Sequence, residues 1–305
     1  DKPGGIYYSD PHIRMKFMIP NHRTQMYYNG YTWTHETDRY GFRNSTTLES
    51  ADIALLGDSN VYGHGVNVDH TIGHYLGKLT GMQVINMARQ GDSSLQEPYL
   101  LTEYINQLRP KYVLYFFNEN DIRDLYIYRT DAELQSFVDT PITKIQFGTR
   151  LPIEEALKIR DEQNRDLLQG SMRERLYLFR ALNWIEFRKS EQSINARLSN
   201  DLHNVNDETS LGWRFTKHAI QYMDLVCRNH DSRLVIVPMT HYGHSAHYSI
   251  LERLARSSGI AFIDTRAIHD QSFFLPGDGH YTPKGAEAMA KLASDFLESK
   301  SEAYH

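Results

Sequence analysis

Cysteine is nearly absent: the single Cys227 in 305 residues leaves no intramolecular disulfide and does not choose a redox compartment. No apolar run approaches the ~18–20 residues that a membrane-spanning helix needs. A basic stripe is missing too. The 33 Lys and Arg are interspersed with 38 Asp and Glu, for a net charge of −5, which argues against a nucleic-acid surface and a polyanionic partner. Internal repeats and low-complexity tracts do not occur. His241, His244 and His247 recur at intervals of three, but no cysteine or carboxylate cluster completes a metal motif, so they read as polar loop residues. Neither metal nor cofactor is implied.

What remains is a chain of 40% hydrophobic content, long enough to bury one large or two modest domains. Cys227 falls in a helical apolar pattern with Ala219, Tyr222, Met223 and Val226, the setting of a core thiol. The sequence starts at Asp1 without methionine, so removal of an upstream piece is the expectation, whether a signal peptide, an anchor or other protein, and an extracytoplasmic location is favoured.

The chemistry concentrates in a few short stretches. Ile53 to Leu56 is an apolar run that stops at once in Gly57-Asp58-Ser59, the pattern of a buried strand delivering a serine onto a tight turn. In an open α/β sheet, ligands bind at the carboxyl ends of such strands. Turns are made of Gly, Asp and Ser in any case, so the tripeptide alone carries little. A partner lies near the other end of the chain, in Pro276-Gly277-Asp278-Gly279-His280. A serine hydroxyl needs a base to take its proton, and a histidine base needs an acceptor to fix its tautomer.

Two further blocks complete the pattern: Asn86-Met87-Ala88-Arg89-Gln90-Gly91 after a second strand, and Asn120-Asp121 after a third. With Gly57-Asp58-Ser59 and Asp278/His280 in this order, the sequence resembles the SGNH (GDSL-type) hydrolase superfamily. Two departures stand out. The third block commonly reads Gly-x-Asn-Asp, where this chain has Asn118-Glu119-Asn120-Asp121, and the last is often Asp-x-x-His, where one residue separates Asp278 from His280. Asp264 and Asp270 are the alternative orienting carboxylates.

The resemblance implies a flavodoxin-like, doubly wound α/β fold around a five-stranded parallel sheet. It also implies a Ser59, His280, Asp278 triad. The oxyanion hole would be formed by the backbone N–H groups of Ser59 and Gly91 and the side-chain amide of Asn120, with Asp58 supporting the turn. Taken without the resemblance, Gly91 and Asn120 read equally as a loop glycine and a turn former.

Along the chain, residues 1–50 carry short extended pieces, Met15 to Ile19 and Gln25 to Tyr28, expected as a loop-and-strand extension packed on the core. Arg39 and Arg43 at its end are candidates for a substrate anion or, preferably, for surface ion pairs. Strands are expected at 53–56, 82–86, 112–117, 234–238 and 261–263. Helices follow from Ile72/Leu76/Leu79, from Leu101/Ile105/Leu108 with Pro98 in the first turn, and at about 214–228, 246–257 and 283–297. A mostly helical insertion of about ninety residues, roughly 124–213, interrupts the alternation. One helical piece there carries Ile153, Ala156 and Leu157, another Met172, Leu176, Phe179 and Leu182. The insertion reads either as a lid over the site or as a structural embellishment, within a hydrolase-like domain spanning 51–305.

The resemblance implies a serine esterase or deacetylase acting on an oxygen ester of a small acyl group, with an O-acetylated carbohydrate as a candidate substrate. Two alternatives stay open: an O-acyltransferase using the same residues, and a binding domain whose site is no longer used.

Overall fold

The computed structural model describes residues 5–169, 206–239 and 246–301. The extended pieces near the N-terminus form two antiparallel hairpins. β1 (Tyr7–Asp10) pairs with β2 (Met15–Met18), and β3 (Arg23–Tyr28) pairs with β4 (Tyr31–Glu36) in the register Tyr28 opposite Tyr31.

From β5 (Ile53–Leu56) onward strands and helices alternate. α1 (Ser59–Tyr62) and α2 (Ile72–Thr80) lead to β6 (Val84–Asn86), and α3 (Glu97–Leu108) leads to β7 (Tyr112–Asn118). α4 (Asp121–Tyr128), α5 (Asp131–Asp139) and α6 (Ile153–Gln169) follow. The chain then passes through α7 (Leu211–Asn229), β8 (Arg233–Met239), α8 (Ala246–Ser258), β9 (Ala261–Phe262) and α9 (Pro283–Ser301).

The five later strands make one parallel sheet in the order β6-β5-β7-β8-β9, the doubly wound order expected from the sequence. β5 is buried at all four positions and β7 at all but the first, as for strands covered by helices on both faces. Local chemistry sets the helix ends. Thr71 caps α2 by accepting from His74 N at 3.3 Å, and Pro98 sits where the first turn of α3 leaves amides unbonded. α7 begins at Leu211, earlier than the apolar spacing suggests, because the Ser210 hydroxyl accepts from Trp213 N at 3.4 Å.

The chain divides into two compact units, Asp1–Ile19 with Gln146–Asn204, and Pro20–Ile145 with Val205–His305. The cut at Ile19/Pro20 falls inside the stretch grouped as one extension by sequence. In the first unit, buried Asp10 accepts from His12 N, Ile13 N and Leu151 N, while Arg160 on α6 donates to the carbonyls of Gly5 and Tyr7 at 2.8 and 3.0 Å. Hydrogen bonds thus tie Leu151 and Arg160, from the stretch 146–169 of the insertion, to the first hairpin. In the second unit α4 and α5 pack on α7: Phe137 stacks on Phe215 at 4.4 Å, and the Cβ of any residue replacing Gly212 would meet Ile122 and Tyr126. The helical piece with Met172, Leu176, Phe179 and Leu182 lies outside the described residues, as do His241 and His244.

Arg43 is not a surface residue. It is wholly buried and donates to four backbone carbonyls: Thr34 and Tyr62 at 2.9 Å, and Gly63 and Val66 at 2.5 Å. Its guanidinium also lies 4.7 Å above the Tyr62 ring. One side chain thereby fastens β4 to the turn that follows the serine. Arg39 does form an exposed pair, with Glu49 at 2.6 Å. Cys227 is buried, and burial pushes its thiol up.

Candidate active site

Three adjacent strands end at one edge of the sheet, and each delivers one of the sequence blocks. β5 lies between β6 and β7, so Ser59, Gly91 and Asn120 follow neighbouring strands at their carboxyl ends. Gly57 makes the sharp exit from β5: a Cβ there would fall 2.7 Å from Val61 Cγ2 and 3.1 Å from Phe116 Cβ. Ser59 is the first residue of α1, so its amide belongs to the first turn and has no intrahelical acceptor.

Asp58 holds this turn. Its Oδ1 accepts from Asn60 N at 2.9 Å, and its Oδ2 accepts from the Asn118 side-chain amide at 2.7 Å. Asn118 occupies the place of the glycine in the commoner third block, so that departure supplies a strut between β7 and the serine turn. Asp121 belongs to the same scaffold, accepting from Asn118 N at 3.1 Å.

His280 reaches Ser59 from a loop 221 residues later: its Nε2 lies 2.8 Å from Ser59 Oγ, while its Nδ1 is hydrogen-bonded to Asp278 Oδ1. The Asp278 side chain is only 1% exposed. Burial alone would raise its pKa, but hydrogen bonds from His280 and Asn29 outweigh that and hold it below the ordinary value. An ionised Asp278 can only accept, so Nδ1 carries the imidazole proton and Nε2 presents a lone pair to the serine hydroxyl. Ser59 Oγ is 3.5 Å from Asp58 Oδ2, too long to compete. The one-residue spacing of Asp278 and His280 therefore closes a Ser-His-Asp chain of contacts, made feasible by a tight loop in which Leu275 O accepts from Asp278 N and Gly279 N at 3.1 and 3.2 Å. Asp264 and Asp270 are engaged elsewhere. Asp264 bonds Arg266 and Tyr248, and Asp270 caps a short 3-10 turn at Ser272 N.

Gly91 is the third residue of a turn closed by Asp92 N donating to Arg89 O at 3.2 Å, and its φ of +77° is what glycine supplies at that place. Asn120 opens α4, with its amide nitrogen donating to Asp124 Oδ2 at 2.9 Å.

Sequence reasoning missed His64. Its ring stacks on His280 with centroids 4.2 Å apart and planes at 26°, between Trp33 at 4.6 Å and Tyr28 at 5.1 Å. The Gln90 amide donates to its Nδ1 at 2.9 Å, placing the ring proton on Nε2. Burial first, then the neighbouring His280, lowers its pKa to about 4, so His64 is neutral at pH 7. His64, Asp278 and His280 place ligand-type atoms within 4.8 Å of one another, yet near-parallel stacked rings aim their lone pairs side by side rather than at a common point. His247 packs against Phe117 and Trp213, away from this cluster.

Carboxyl groups crowd beneath the strand ends. Burial, then neighbouring carboxylates, pushes Glu97 and Asp121 well up, and Asp92 and Asp124 rise to about 6 chiefly through burial. Arg89 pairs with Asp92 at 2.7 Å inside this group.

Among the described residues no helix is long and apolar enough to cross a membrane. A search of curated protein sequences finds no significant match. Solved structures with a similar course of the chain include the psychrotrophic esterase EstA from Pseudoalteromonas sp., at 11% identity over 82% of this chain and 98% of that one, TM-score 0.45. The Clostridium thermocellum family 3 carbohydrate esterase matches at 11% identity, 84% and 98% coverage and TM-score 0.45. Axe2, an acetylxylan esterase from Geobacillus stearothermophilus, matches at 11%, 80% and 93%, and 0.42. The family model for GDSL-like lipase/acylhydrolase matches residues 53–293, from the strand before Ser59 to beyond His280. The chain belongs to the GDSL-like lipase/acylhydrolase family and is a hydrolase of the SGNH type.

Proposed function

We propose that the chain is a serine esterase or deacetylase that hydrolyses an oxygen ester of a small acyl group, with Ser59 as nucleophile, His280 as base and Asp278 as its orienting partner. The supporting observation is the 2.8 Å approach of His280 Nε2 to Ser59 Oγ, with His280 Nδ1 on an ionised Asp278.

Ser59 Oγ attacks the ester carbonyl carbon while its proton passes to His280 Nε2, and Asp278 stabilises the imidazolium that results. The carbonyl oxygen becomes an anion facing the amides of Ser59 and Gly91 and the side chain of Asn120, each donor being worth about 3 kcal/mol to the transition state. Asn120 has two amide hydrogens; Asp124 takes one and the other remains for the oxyanion. As the carbon–oxygen bond to the alcohol breaks, His280 returns the proton to the leaving oxygen. Water, deprotonated by the same imidazole, then releases the acid and restores Ser59. The substrate class we favour is an O-acetylated carbohydrate: exposed Tyr28, a ring suited to sugar stacking, lies beside His64.

The test is hydrolysis of p-nitrophenyl acetate and butyrate by the native chain and by Ser59→Ala, with an O-acetylated sugar supplied in parallel and both free acetate and acetylated acceptor followed. Release of acetate that disappears with Ser59 is the expected result. Acetate moving mainly onto the acceptor makes the protein a transferase, and equal behaviour of the two proteins on every ester removes the serine mechanism and favours a binding domain.

A further inference from the structure

The hairpin of β3 and β4 lies outside residues 53–293, the part of the chain that the family model covers. Its turn is Asn29-Gly30, with φ of +47° and +87°, the two-residue left-handed turn for which Asn-Gly is the favoured dipeptide. The turn is not merely a connection. Asn29 Nδ2 donates to Asp278 Oδ2 at 2.9 Å, and Tyr31 Oη donates to Pro276 O at 2.8 Å. One hairpin tip thus binds both the carboxylate beside His280 and the backbone that carries it.

We propose that Asn29 is a positioning residue of the active site, which holds Asp278 in the orientation that aligns His280. The inference rests on the Ser59, His280, Asp278 reading given above. Asp278 has its side chain almost fully covered, and one residue separates it from His280, so its carboxylate is presented from a short loop closed on Leu275 O. Oδ1 is committed to His280 Nδ1. With Asn29 on Oδ2, both oxygens are fixed and rotation of the carboxylate is stopped; without it, one buried acceptor has lost its donor and the carboxylate turns to find another. The titratable groups that face Asp278 are His280 and His64, and Arg43 acts on His64 in turn. A neutral amide adds no charge to this set, so Asn29 orients Asp278 without cancelling the negative charge that the imidazolium needs. The hairpin is itself anchored to the serine side, because Arg43 bonds Thr34 O together with the carbonyls of Tyr62, Gly63 and Val66.

Asn29→Gly removes the amide and keeps a residue suited to positive φ, so the turn is retained. kcat, KM and the pH dependence of kcat/KM on p-nitrophenyl acetate, with the thermal midpoint, are measured for this variant beside native protein and Ser59→Ala. The expected result is a fall in kcat of about tenfold with KM within about twofold and the midpoint within a few degrees. The rising limb of the pH profile moves to higher pH, because a carboxylate without its donor is more basic and holds the imidazolium proton more tightly. A kcat within twofold of native and an unmoved limb, in a protein whose Ser59→Ala form is inactive, overturns the role of Asn29 alone. So does a loss that merely follows a lowered midpoint while the limb stays in place. Full activity of Ser59→Ala instead overturns the underlying mechanism. Should Asn29→Gly fail to fold, Asn29→Ala, whose methyl group offers no donor and no charge and tolerates the left-handed φ at a cost of about 1–2 kcal/mol, is judged by the same fall in kcat with KM within about twofold.

Discussion

Replacing Arg43 by methionine keeps much of the side-chain volume and removes every donor. Four carbonyls, those of Thr34, Tyr62, Gly63 and Val66, then lose a charge-assisted hydrogen bond in a site where Arg43 is wholly buried. Gly63 O keeps Val66 N at 3.4 Å, which leaves the other three carbonyls to lose their donor; a buried acceptor left without a partner costs about 1–3 kcal/mol, so three cost about 3 kcal/mol at the low end. That is a large share of the ~5–15 kcal/mol by which folded domains are stable. For a unit of the size of Pro20–Ile145 with Val205–His305, each kcal/mol shifts the midpoint by about 2–4 °C. Arg43→Met is therefore expected to unfold about 6–12 °C below the native protein, followed by circular dichroism on heating. Arg43→Lys, with three donors on a compact ammonium, falls between the two. Esterase activity below the transition falls as well, since the carbonyls at 62, 63 and 66 belong to the turn behind Ser59. A shift of under about 3 °C for Arg43→Met refutes the reasoning and means that water or a local rearrangement satisfies those carbonyls.

Asp278→Asn removes the negative charge beside His280, and kcat is expected to fall by about 10²–10⁴ with the fold intact; activity near native would return the orienting role to another carboxylate. Gly57→Ala places a methyl group 2.7 Å from Val61 Cγ2 and is expected to cost about 1–3 kcal/mol, read as a lower thermal midpoint together with lower kcat, whereas an unchanged midpoint would show that Val61 yields freely. For pH, Glu97 has a folded pKa well above its unfolded value of about 4.3, so the stability it contributes is complete below that value and is lost as pH rises toward the folded pKa. The native midpoint should consequently drop more between pH 5 and pH 8 than that of Glu97→Gln, and equal slopes would contradict this. His35 works in the opposite sense: its pKa is lowered to about 3 by burial, with Arg43 adding to the effect, so its contribution is present above about pH 6.5 and disappears as pH falls toward 3. His35→Gln should accordingly flatten the midpoint between pH 6.5 and pH 4.5; an unchanged acid slope would count against it.

Local pattern is enough to specify the sheet and the edge at which the candidate site residues gather. Apolar runs such as Ile53 to Leu56 and Tyr112 to Phe117 read as buried strands, and alternation with amphipathic helices makes them parallel neighbours. The placement of Ser59, Gly91 and Asn120 at that edge follows from local pattern, because each comes after the end of such a run. His280 and Asp278 were legible as chemistry and as a resemblance, but their meeting with Ser59 depends on a loop folding back across 221 residues. Tertiary structure alone decided the side chains whose partners are remote. By sequence Arg43 reads as a surface ion-pair partner or an anion ligand, and it is buried because carbonyls from two distant segments converge on it. Asn118, read as a departure from a motif, is a strut to Asp58 across 60 residues. Asn29 carries a turn signal visible in the sequence, yet its bond to Asp278 spans 249 residues. Periodicity records which face of an element is buried, because burial repeats with the backbone. It does not record which polar group meets which, because a hydrogen bond is set by two segments at once, and only the folded chain brings them together.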